Sequence, residues 1–124
     1  MSGMTVFEAV GEAALQAMVA DFYRQIPADN ILGPMYPEEA MSAAETRLAD
    51  FIIYRFGGPQ RYIEERGHPR LRMRHAAFRI DEAARNRWVE LMDAAIEKQS
   101  FPDEIATPIR EFLHDSATFL INAG

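Results

Sequence analysis

The chain has 124 residues, 48% of them hydrophobic and 26% charged, which suits one folded domain with a real core and excludes extensive disorder and fibrous repeats. With 13 basic residues against 19 acidic ones the net charge is -6, so no positive excess draws the chain to nucleic acid or anionic lipid. Cysteine is absent, which excludes disulfide scaffolds, zinc ribbons, iron–sulfur clusters and thiolate catalysis.

Apolar residues recur at helical spacing almost throughout, and no stretch alternates as a half-buried strand does, so the chain reads as all-α. Thr5 followed by Glu8 has the form of a capping box. Leu15, Val19, Phe22, Tyr23 and Ile26 then follow one face until Pro27 stops it, as one helix or two short ones. Asn30, Gly33 and Pro34 crowd the stretch from Pro27 to Pro37, which predicts a turn-rich connection with room for a short 3₁₀ piece and Tyr36 near its end. Ser42 and Glu45 repeat the capping-box pattern, and Ala44, Leu48, Phe51, Ile52 and Phe56 form a stripe that stops at Gly57-Gly58-Pro59.

Short helices are expected from about Gln60 to Arg66 and from about Pro69 to Ala77, divided by Gly67-His68. Asp81 is a good N-cap for a helix reaching about Lys98, with Ala84, Trp88, Leu91, Met92 and Ala95 on one face. The last helix carries Ile105, Ile109, Phe112, Leu113, Ser116, Phe119 and Leu120, and Pro108 marks either a kink in it or a late start. No repeat, linker or shift of composition divides residues 1–124 into further domains. The opening stretch has no basic n-region, and no segment approaches the roughly 18 apolar residues of a membrane span, so a cytoplasmic protein with no membrane partner is expected.

No Gly-rich phosphate loop, His-Glu-x-x-His zinc motif or nucleophile elbow is present, which argues against an ordinary hydrolase or nucleotide enzyme. Three histidines remain to be weighed. His75 shares a helix face with Leu71 and Phe78 and so points inward. An inward imidazole is either a hydrogen-bonded core residue or a metal ligand, and spacing leaves both open. His68, ahead of Pro69, reads as a loop residue or local cap; His114 falls among Glu111, Asp115 and Thr118 on a polar face. Tyr23, Tyr36 and Trp88 each join a large apolar body to one polar tip that needs a partner once buried. Spacing allows them to be plain core, or to converge opposite the histidine.

In chain order, Phe22-Tyr23, Tyr36-Pro37-Glu38, Phe56-Gly57-Gly58-Pro59, the run Gly67-His68-Pro69-Arg70-Leu71-Arg72-Met73-Arg74-His75, and Trp88 resemble the group II truncated haemoglobins. The resemblance implies a two-over-two sandwich of helices around haem b, with His75 as the proximal iron ligand. It makes Tyr23, Tyr36 and Trp88 distal-pocket groups and sets Ala44 and Leu48 on the distal helix, facing the ligand. Leu48, Phe51, Leu71, Phe78 and Met92 become apolar haem contacts. Arg47 and Arg72 become candidates for the propionates, with a solvated surface role as the alternative. The chain departs from the family pattern at Ala77, where proline is common, and at Phe56, where a larger aromatic is frequent.

The function so implied is reversible binding of O₂ or a related diatomic at a histidine-held iron. Phenol O–H and indole N–H groups donate well in a pocket short of water, which favours slow release. The same donors suit polarisation of an O–O bond, so peroxidase-like or nitric oxide chemistry with a reductase partner is the alternative. A haem-free helical interaction module is the third reading. Monomer and homodimer both stay open.

Overall fold

Thr5 begins the fold as its sequence predicts. Its hydroxyl accepts the Glu8 N–H at 3.0 Å while the Glu8 carboxylate accepts the Thr5 N–H at 2.9 Å, a complete capping box at the start of helix α1 (Val6–Gln25). Gly11 leaves helical geometry at φ 85°, ψ 165°, which side-chain-bearing residues rarely adopt, so α1 is kinked into two segments. The helix stops short of Pro27, and the chain then passes through two 3₁₀ turns, Ile26–Ala28 and Gly33–Met35. The computed structural model describes residues 4–59 and 80–122. The short helices expected at 60–66 and 69–77 lie outside them.

Helix α2 spans Glu38–Arg55, which corrects the expected start at Ser42. Pro37 opens it instead: its carbonyl accepts the Ala40 N–H at 2.9 Å, and Glu38 and Glu39 put negative charge in the first turn, where the helix dipole favours it. Ser42 is therefore interior, and its carbonyl accepts the Thr46 hydroxyl at 3.1 Å. The helix ends at the glycine pair as expected. Gly57 takes φ 102°, and a Cβ there would lie 2.7 Å from the Thr5 side chain, while one on Gly58 would lie 2.5 Å from Ile53. These glycines let the start of α1 lie against the end of α2, where the Phe7 N–H donates to the Phe56 carbonyl at 3.0 Å. Phe56 meets Phe112 edge-on at 5.5 Å, and the Arg55 guanidinium lies 4.7 Å above the Phe112 ring.

Asp81 caps helix α3 (Glu82–Lys98), accepting the Ala84 N–H at 2.9 Å. Helix α4 (Asp103–Phe119) begins upstream of Pro108 and continues through it, so the late start is excluded. It runs antiparallel to α3, with Arg85 Nε donating to the Thr118 hydroxyl at 3.0 Å near one end and His114 Nε2 meeting Asp93 Oδ1 at 2.8 Å further along. His114 is thus half-buried against α3 rather than set among its own helix's polar neighbours. At the open end, the Ile80 N–H donates to the Asn122 side chain and the Asn122 N–H to the Ile80 carbonyl, both at 2.8 Å.

The α1–α2 and α3–α4 pairs stack into a two-over-two sandwich, with α1 packed on both α2 and α3. Leu15, Met18, Phe22, Ile52, Ile96 and Ile109 fill the space between them and are fully buried. Polar clasps sit on the flank of this core: Gln25 donates to the Leu91 carbonyl at 2.9 Å and Gln99 to Asp21 at 2.6 Å. Together with the Arg24 ion pair, the Gln99 bond holds the Asp21 carboxyl below its ordinary range. Among the described residues no helix is long and apolar enough to cross a membrane.

Candidate functional site

A cavity of about 290 Å³ opens between α2 on one side and α3 with α4 on the other. Ala44, Leu48 and Phe51, spaced one turn apart on α2, form one wall, and Ala84 and Trp88 on α3 face it with Leu113 and Ala117 of α4. The small side chains at 40, 44, 84 and 117 keep this space open. Its lining is predominantly apolar, and two guanidinium groups, Arg47 and Arg85, also border it.

Polar tips gather at one end. Tyr23 comes from α1, Tyr36 from the residue that closes the second 3₁₀ turn, and Trp88 from α3, and all border the cavity. The two phenol rings meet edge-on with centroids 5.6 Å apart, and Phe22 packs against Tyr23 at 5.1 Å and against Trp88 at 4.9 Å. Among the described residues Tyr23, 6% exposed, is the one core residue that carries a hydroxyl or a charge. Burial pushes its phenol far above the ordinary tyrosine range, and its bond to Tyr36 adds to the rise. Tyr36 is pushed up by burial too, opposed by hydrogen bonds from Trp88 and Tyr23 that favour its ionised form. Burial wins at both positions, so both phenols keep their protons.

Of the residues singled out from the sequence, Tyr23, Tyr36, Ala44, Arg47, Leu48, Phe51 and Trp88 meet at this cavity. Met92 does not join them. It is fully buried one turn beyond Trp88, within the interhelical core rather than among the lining residues. His75, Leu71, Arg72 and Phe78 lie outside the described residues, as does His68. Leu32, Arg85, Leu113 and Ala117 border the cavity without having been assigned to it. The stripe through Leu113 was readable; what faced it was not. Arg85, three residues before Trp88 on the same helix, carried a usable signal.

The profile of the bacterial-like globin family matches residues 5–122 of the chain. The chain belongs to that family. The Group 2 truncated hemoglobin YjbI of Bacillus subtilis (strain 168) is 35% identical to this globin over 107 residues, covering 86% of it and 77% of the relative. A thermostable hemoglobin from Thermobifida fusca has the same fold, with a TM-score of 0.91 at 42% identity over 96% of this chain and 98% of that one. A truncated oxygen-avid haemoglobin from Bacillus subtilis matches at TM-score 0.89 and 30% identity, covering 95% of this chain and 99% of that one. These likenesses make this globin a group II truncated haemoglobin, and its cofactor is haem b.

The described residues fit that cofactor. A slot between two apolar walls suits the faces of a porphyrin, Arg47 and Arg85 are cations suited to its carboxylates, and the neutral phenols and indole bring hydrogen-bond donors to the same cavity. The haem-free module is set aside accordingly.

Proposed function

We propose that His75 would hold haem b in this globin and that Tyr36, with Tyr23 and Trp88 in support, would hold O₂ by a hydrogen bond, so that O₂ leaves slowly. The observation that carries the reading is the meeting of three polar tips at one apolar cavity. Haem, when bound, would supply an iron able to take up a diatomic ligand.

The rest is the work of the side chains. Tyr23 commits its proton to the Tyr36 oxygen, and Trp88 commits its N–H to the same atom. Tyr36 is left with its own proton to donate. A ligand carrying partial negative charge receives that bond in surroundings poor in water, where a hydrogen bond is stronger than in solvent. The accepting load on Tyr36 polarises its O–H and makes it the better donor. Ala44 and Ala40 leave the approach uncrowded, and Arg47 offers a guanidinium fork to a propionate. The avidity for oxygen ascribed to the Bacillus subtilis relative is in keeping with this reading.

Resonance Raman spectroscopy of the ferrous, haem-loaded protein tests the proximal half. An iron–histidine stretching band is expected, and His75→Ala abolishes it while loosening the haem. A band that survives that substitution places the ligand on another residue.

A further inference from the structure

Resting on the donor role proposed for Tyr36, we infer that the ion pair between Asp29 and Arg87 is a positioning device for the distal pocket: it fixes the connection that ends in Tyr36 against the helix that carries Trp88, and thereby sets how fast O₂ leaves. Asp29 organises that connection. One carboxylate oxygen accepts the N–H groups of Ile31 and Leu32 at 3.0 and 2.7 Å, and its carbonyl accepts the Gly33 N–H at 3.0 Å. The chain of bonds continues from the Gly33 carbonyl to the Tyr36 N–H at 3.3 Å. Little slack exists in this turn, because a Cβ on Gly33 would lie 3.2 Å from the Ile26 carbonyl oxygen.

The other carboxylate oxygen of Asp29 receives Arg87 Nε at 3.3 Å. Arg87 directly precedes Trp88 on α3, and a 3.3 Å contact to Glu90 steadies its guanidinium from the far side. Among the described residues this is the one ion pair that joins the 26–36 connection to α3. The Asp29 side chain is only 9% exposed, so water screens the pair weakly on that side. Hydrogen bonds weaken steeply with misalignment, so a small slip of the connection relative to α3 moves Tyr36 against Trp88 at the cavity they share and turns its hydroxyl from the ligand. Asp29 and Arg87 touch neither haem nor O₂; they act through Tyr36 and Trp88.

The test uses haem-loaded ferrous protein, with O₂ release followed by stopped flow and the C–O stretch of the carbon monoxide complex read by infrared. Asp29→Asn keeps an acceptor for the loop amides and removes the charge; Arg87→Met removes the cation and keeps the apolar stem. Each is expected to speed O₂ release about three- to tenfold and to shift the C–O stretch toward that of a less polar pocket. The double variant should add little beyond either single one, because both remove the same contact, and Arg87→Lys should restore slow release in part. Unchanged release and an unchanged stretch in both single variants overturn the inference, even if thermal stability falls. If Asp29→Asn does not fold, Arg87→Met, at a half-exposed side chain, decides the matter. Tyr36→Phe and Trp88→Phe run alongside: if they speed release and the ion-pair variants do not, the positioning role alone fails, and if none does, the donor reading fails with it.

Discussion

Two hydroxyls give the pocket its character, and both are held away from water. An unfolded chain ionises its tyrosines near pH 10, whereas Tyr23 and Tyr36 resist ionisation in the fold. Their folded values are raised, so the stability they contribute is fully present below about pH 10 and is lost as the pH climbs from there toward those values. A spectrophotometric titration compared with Tyr23→Phe and Tyr36→Phe should show these phenolates appearing together with loss of helical signal. Their ionisation near pH 10 in an intact fold would contradict the burial argument. The donor order gives a second expectation: Tyr23→Phe and Trp88→Phe should each speed O₂ release less than Tyr36→Phe, because each removes one donor to Tyr36 and leaves Tyr36 its own proton to give. Equal effects would indicate three equivalent donors. The sequence disclosed these residues as types, large rings with one polar tip, but their convergence depends on the turn geometry between Asp29 and Tyr36, which no periodicity encodes.

At the level of elements, local chemistry was legible where one signal stood alone and misleading where two competed. Thr5 and Glu8 form the expected capping box, and Asp81 the expected cap. The same Ser-x-x-Glu pattern at Ser42 misled, because an acidic first turn behind Pro37 had already begun the helix. Thr5→Ala should therefore cost about 1 kcal/mol in chemical denaturation, while Ser42→Ala should be nearly neutral. Gly57-Gly58 read as a stop signal and proves to be a docking surface as well. Gly58→Ala, which sets a methyl against Ile53 and Phe7, should destabilise the fold by roughly 1–3 kcal/mol in the same measurement. A neutral effect would mean that the α1–α2 corner relaxes freely.

Across the whole molecule, helical periodicity foretold the all-α class, and breaker and capping residues foretold the stop of α1 before Pro27, the stop of α2 at Gly57 and the cap of α3 at Asp81. It did not tell which stripes would face each other. Met92 shares a face with Trp88 in sequence yet turns into the core, because a helix stripe wider than the cavity has to divide between the two. Leu113 and Ala117 entered the cavity wall through long-range packing of α4, which depends on the antiparallel register set by Arg85 with Thr118 and Asp93 with His114. In the function proposed for it, this architecture holds O₂ by a hydrogen bond from Tyr36. Stopped-flow release of O₂ from the ferrous, haem-loaded protein, beside Tyr36→Phe, tests it most directly. Slow release that becomes about tenfold faster in the variant is the expected result, equivalent to the loss of about 1.4 kcal/mol. Release that is already fast in the unaltered protein, or that Tyr36→Phe leaves unchanged, would contradict it.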